Sequence, residues 1–156
     1  MRNQTEVRDL TDPEIHQACC AAMLEVLETM FFELPLDELE IVPAPAASSC
    51  LVRAGFRGTV DGVIHVAISC STCTRLTASF LGKEAEEVVH AEECSTALEL
   101  ANMLCGATLS RLEPQGRLAI ETPYLVDRNQ HAAGPWLRYP LEDGDIEVAL
   151  SYGEGL

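Results

Sequence analysis

Two spacings of apolar residues organise the chain. Between Pro13 and Phe31, residues Ile15, Ala18, Cys19, Ala22, Met23, Val26, Leu27, Met30 and Phe31 recur at i, i+3, i+4 and i+7, which places them on one face of an α-helix. Thr11-Asp12-Pro13-Glu14 predicts its start, with a capping residue, a proline at the first helical position and acid at the positive end of the dipole; Pro35 ends the run. From Cys50 the period falls to two. Cys50, Val52, Ala54 and Phe56 then share one side of a strand, and Leu51, Arg53, Gly55 and Arg57 the other. Val60-Asp61-Gly62 is a hairpin signal and Val63 to Ser69 a second strand rich in β-branched residues, so the two are expected to pair. Between helix and hairpin, Pro35 to Ser49 has no period and reads as loop.

The helical period then returns. Ser71-Thr72 predicts the cap of a shorter helix ending near Phe80 or Leu81, with Gly82 as the stop. An acidic run, Glu84, Glu86, Glu87, Glu92 and Glu93, leads into a central helix predicted from Ser95 to Leu112. Wound at roughly 100° per residue, Cys94, Ala97, Leu98, Ala101, Leu104, Cys105, Thr108 and Leu112 form a broad apolar face. The opposite line holds Ser95, Glu99, Asn102 and Gly106, with Leu100, Met103 and Ala107 beside it. A solvated face would carry several Lys, Arg or Glu side chains, whereas this stripe carries one carboxylate and one carboxamide about a turn apart. Gly106 is expected to let another backbone come close. Each residue also has a plainer reading: Glu99 as a solvated helix residue, Asn102 as a hydrogen-bond partner of a nearby loop, Ser95 as a helix-start residue, Pro123 as a strand breaker.

Beyond the central helix, Pro114 and Gly116 force a turn and Arg117 to Thr122 resumes strand character up to Pro123. Asp127 to Pro135 is a polar loop containing His131, and Trp136 to Leu141 with Ile146 to Ser151 forms a closing hairpin. This order predicts an α+β fold, a mostly antiparallel sheet covered by two long helices plus a shorter one. The two long helices echo each other. Leu24-Glu25-Val26-Leu27-Glu28-Thr29-Met30 parallels Leu98-Glu99-Leu100-Ala101-Asn102-Met103-Leu104, so the halves are expected to be pseudo-symmetric, with the full polar pair in the second alone.

Composition narrows the functional classes. A chain of 156 residues that is 47% hydrophobic and 22% charged suits one globular domain, expected over residues 11–156 behind a flexible polar tail at 1–10. The formal net charge of −15 argues against nucleic acid and anionic membrane as partners. Neither a signal peptide nor a membrane span is visible, so the expected location is cytoplasmic. The seven cysteines include Cys19, Cys50, Cys70, Cys94 and Cys105 on apolar faces of predicted elements, as reduced cysteines acting as small hydrophobes are, and no disulfide is expected. Cys70-x-x-Cys73 has the spacing of a redox pair or half a zinc site. The nearest further ligands, His90 and Cys94, would have to come from elements predicted separately from the one that carries this pair, and no metal is assigned. His65 reads as a strand residue.

Ser95-x3-Glu99-x2-Asn102, followed by Pro123, resembles the signature of the CheC, CheX and FliY family of chemotaxis phosphatases, and ELANMLCG is similar to that family's active helix. The hairpin Phe56-x-Gly58-x-Val60-x-Gly62-x-Ile64-x-Val66-x-Ile68-Ser69 extends the resemblance, which covers roughly residues 12 to 152. One full motif beside a degenerate first helix is similar to CheX rather than to the two-site CheC arrangement. The resemblance implies a phosphatase acting on the aspartyl phosphate of a CheY-like response regulator. Asn102 would orient the attacking water, Glu99 would dock a regulator lysine, and Ser95, Met103, Gly106 and Pro123 would support the site or contact the partner. It implies no cofactor on this chain, Mg2+ on the partner receiver, and a possible homodimer through a strand edge. A receiver-binding or dimerisation module without turnover is the alternative.

Overall fold

The computed structural model describes residues 7–46, 49–130 and 132–153, with the backbone alone at Arg128. Asp12 caps the first helix, α1 (Pro13–Met30), its side chain accepting the Glu14 N–H at 2.9 Å. Ile15, Ala18, Cys19, Ala22, Met23, Val26 and Leu27 are buried along it, following the predicted face except at its end, where Met30 is exposed. Arg8 and Asp9 form a short strand, β1, against Tyr152 and Ser151, and Leu10 is in the core. These residues therefore belong to the folded unit rather than to the expected tail, whose positions 1–6 lie outside the described residues.

The predicted hairpin is present as β3 (Ser49–Gly58) and β4 (Gly62–Ser69), in register from Ser49 opposite Ser69 to Phe56 opposite Gly62. Gly62 is needed there because a Cβ would stand 2.6 Å from the Ser151 carbonyl oxygen and inside the Phe56 ring. Chain order continues with α2 (Cys70–Leu81), α3 (His90–Leu112), β5 (Leu118–Ile120), β6 (Tyr124–Val126), β7 (Trp136–Leu141) and β8 (Gly144–Tyr152). Gly82 ends α2 with φ 68°, the left-handed stop its sequence predicts. The N-cap of α2 is Ser69 rather than Ser71 or Thr72, because β4 runs into the helix without a loop.

All described strand pairs are antiparallel. A further short strand, β2 (Glu40–Val42), lies inside the stretch expected to be loop and pairs with Arg138, Leu137 and Trp136. The order is β2-β7-β8-β4-β3-β5, with β1 added to β8 and β6 to β3. One sheet face carries Val52, Phe56, Ile64, Val66, Val148 and Leu150 into the main core beneath α1 and α3. The other face buries Leu51, Ala67, Trp136 and Ala149 in a smaller cluster. His65 is buried in β4 near Trp136, with ring centroids 6.3 Å apart, as its reading as a strand residue expects. The fold is thus α+β, with the helices on one face of a mostly antiparallel sheet.

Candidate functional site

The central helix begins five residues earlier than its apolar period suggests, at His90. The Glu92 side chain turns back to accept the Val89 N–H at 3.1 Å and also holds Lys83 at 2.6 Å, closing the first turn before any apolar face exists. Lys83 holds the Glu92 carboxyl below its ordinary pKa. Ser95 therefore stands in the second turn instead of at the helix start.

Across α3, Thr96, Ala97, Leu100, Ala101, Leu104, Cys105, Thr108, Leu109 and Leu112 are buried. The apolar face is rotated slightly from the expected one: Leu100, placed beside the polar stripe, is fully buried, while Cys94 and Leu98 are half-buried. Packing against α1 and the sheet decides this, since two neighbours widen the buried arc of a helix beyond one stripe. Ser95, Glu99 and Asn102 are exposed, and Gly106 and Met103 half-buried. Among the described residues no hydrogen bond or ion pair holds the Glu99 carboxylate or the Asn102 carboxamide. The loop partner that a structural asparagine would need is therefore absent from the described residues, and both polar groups face outward one turn apart.

Gly106 and Pro123 differ from their plain sequence readings. A Cβ on Gly106 would meet just the Ile120 Cδ1, at 3.8 Å, an ordinary contact, so no backbone approaches there. Pro123 does not end the strand region. β5 aligns Ile120 with Phe56, and β6 aligns Tyr124 with Arg53, so three residues oppose two and the chain bulges at Glu121, Thr122 and Pro123. The Glu121 N–H still reaches the Gly55 carbonyl at 2.8 Å, and Arg53 donates to the Tyr124 hydroxyl at 2.7 Å. Proline, lacking a donor, suits the bulge between two pairing segments. α3 packs against both β5 and β6, so Pro123 lies on the sheet margin beside the helix.

Sequence reasoning missed the cleft next to this stripe. Phe80 and Leu81 at the end of α2 and Ala91, Glu92, Ser95, Thr96 and Glu99 of α3 line an open cavity of about 500 Å³. Its walls come from two helices, and no local pattern shows how their ends meet.

The thiols lie apart from this stripe in their chemistry. All seven cysteines are free. Cys70 is exposed at the first residue of α2, contrary to its expected apolar setting, whereas Cys73 is buried and donates to the Glu93 carbonyl at 3.6 Å, its thiol pushed up to about 12 by burial. His90 and Cys94 lie together on α3, an element separate from the α2 that carries Cys70 and Cys73, with Sγ 3.5 Å from Nε2. Among the described residues no group of three or more His, Cys, Asp or Glu is arranged to hold a metal ion. No described helix is long and apolar enough to cross a membrane.

Comparison with known families matches residues 50–137, more than half of the chain, to the family described as chemotaxis phosphatase CheX. The chain belongs to the CheX family. No curated protein sequence matches it. Its fold is similar to that of CheX in a CheX–CheY–BeF3–Mg2+ complex from Borrelia burgdorferi, with TM-score 0.71 and 18% identity over 92% of this chain and 100% of the other. It is also similar to CheX from Vibrio vulnificus (TM-score 0.69, 19% identity, 89% and 96% covered) and from Desulfovibrio desulfuricans (0.68, 17%, 88% and 97%). At these identities the likeness is one of fold, and the chain spans nearly the whole of each CheX.

Proposed function

We propose that this CheX-family chain hydrolyses the aspartyl phosphate of a CheY-like response regulator, with Asn102 orienting the attacking water and Glu99 pairing with a regulator lysine. The observation that carries the reading is the exposed Glu99–Asn102 pair, without a partner among the described residues, on a helix whose flanking Leu98, Leu100, Met103 and Ala107 are buried or half-buried. Transfer of a phosphoryl group to water needs a nucleophile held in line more than it needs a base. A carboxamide does that: its oxygen accepts a hydrogen bond from the water O–H and its N–H2 donates one to the water oxygen, leaving the other lone pair directed toward phosphorus. Glu99, one turn away, supplies the opposite charge that sets register with a cation on the partner. Support from fold comparison comes from the Borrelia CheX, seen with CheY, BeF3 and Mg2+, where beryllofluoride is a mimic of a phosphoryl group. Magnesium then belongs to the receiver.

The test follows acid-labile phosphate on CheY-like receivers with Mg2+ present. The wild-type chain is expected to accelerate its decay, and Asn102→Ala to reduce the acceleration by about 100-fold while retaining binding. Binding without acceleration by the wild-type chain would reject catalysis and leave a receiver-binding module.

A further inference from the structure

The cleft between α2 and α3 holds two acidic side chains, and they differ in what they do. Glu92 is engaged by Lys83 at 2.6 Å. Glu99, at the other end, has no partner among the described residues, so it is the cleft's free charge. The rest of the lining is Phe80 and Leu81, each 43% exposed, and Ala91 on the apolar side, with Ser95 and Thr96 between the two glutamates. The Phe80 ring is held from behind by Phe31, with centroids 5.3 Å apart and planes inclined by 23°, so this wall is preformed.

An apolar trough ending in one free carboxylate fits an occupant with an aliphatic side chain placed beside a cation. We propose that the receiver itself fills it: an aliphatic side chain next to the lysine that meets Glu99 seats on Leu81, Phe80 and Ala91. This assignment rests on the phosphatase reading above and adds where its affinity arises. The chain's net charge of −15 opposes the approach of any anionic phosphoryl pocket. Binding must then come from short-range burial, which a screened field does not cancel. The cleft opens on the same helix face as Asn102, so a side chain seated there adds binding contact beside the carboxamide without touching the reacting atoms.

The experiment titrates the wild-type chain and variants with a CheY-like receiver carrying beryllofluoride and Mg2+, and measures phosphate decay at saturating receiver. Leu81→Ser removes the seat, and Ala91→Gln fills the trough from an exposed helical position that glutamine tolerates. Each is expected to raise Kd about tenfold, the loss of one buried aliphatic contact, with the maximal rate unchanged. Ile41→Thr, an exposed apolar residue on β2, is the control and leaves Kd unchanged. If Leu81→Ser lowers the unfolding midpoint, Ala91→Gln decides. Unchanged Kd in a wild-type-like fold overturns the cleft assignment while the phosphatase reading stands. A change in self-association, seen by sedimentation, in place of receiver affinity overturns it in favour of a second copy of the chain. A wild-type chain that neither binds nor dephosphorylates any receiver in a panel overturns both readings.

Discussion

The two long helices share a faint seven-residue echo, the same Leu-Glu start and a polar residue three positions after the glutamate, and use it differently. In α3 the glutamate and asparagine of Glu99-x-x-Asn102 face outward with no partner among the described residues. In α1 the corresponding pair is Glu25 and Glu28, also exposed, but Glu25 is taken by Arg111, which reaches across from the last turn of α3. The residue after the first glutamate is buried in both, Val26 in α1 and Leu100 in α3. The packing half of the repeat is therefore present in both helices, while the first carboxylate of the outward half is paired in α1 and left open in α3. Exposure alone does not mark a site. What separates the two stripes is that the first glutamate is already used within the fold in α1 and not in α3, and that the second polar residue is a carboxylate in α1 and a carboxamide in α3.

The comparison breaks most severely in the core. Leu100→Ala removes a fully buried side chain and is expected to cost about 2–5 kcal/mol, read as a lower midpoint in urea unfolding. Val26→Ala, which removes fewer carbons, is expected to cost less. Next comes the functional contrast. Asn102→Ala is expected to reduce the acceleration of receiver dephosphorylation by about 100-fold, the scale of losing alignment in a positioned reaction, with unfolding unchanged because the side chain is exposed and makes no hydrogen bond among the described residues. Stopped-flow or phosphate-release kinetics at saturating receiver would check it.

How much of this contrast the residues reveal in advance depends on where its cause lies. α1 and the β3–β4 hairpin follow from period alone, since Ile15 to Leu27 and Val52 to Ile68 recur at spacings set by backbone geometry. The outward direction of Glu99 and Asn102 is equally local. The start of α3 is not, because it depends on Glu92 folding back on Val89. Neither is β6, hidden behind Pro123, since a proline reads as a strand end until the bulge against β3 is seen. β2 is three residues whose strand identity comes from β7. The cleft at Phe80 and Leu81 and the capture of Glu25 by Arg111 join residues far apart in sequence, beyond any windowed pattern. What the sequence shows of the site is its chemistry; its surroundings come from tertiary packing.

A milder change sharpens the functional side. Glu99→Gln keeps shape and removes charge, so it is expected to weaken receiver binding about tenfold, with a smaller effect on the rate at saturation than Asn102→Ala. Isothermal titration with a beryllofluoride-loaded receiver, beside saturated kinetics, separates the two roles. Equal losses of binding and rate would show that Glu99 acts in the reaction as well as in docking.

The smallest effect belongs to the closed stripe. Glu25 and Arg111 are 52% and 36% exposed, and exposed ion pairs contribute roughly 0–1 kcal/mol, so Arg111→Ala should shift stability by less than about 1 kcal/mol. Its value lies in what it releases. Glu28→Asn alone gives α1 the Glu-x-x-Asn spelling of α3 but leaves Glu25 paired, and no gain in turnover is expected. Adding Arg111→Ala frees the carboxylate, so the double variant should bind more receiver per chain than Glu28→Asn, measured by titration stoichiometry in the Asn102→Ala background. Equal stoichiometry in the two would mean that α1 lacks a docking surface for reasons beyond the ion pair, and the apolar seat that Phe80 and Leu81 give to α3 would become the next difference to test.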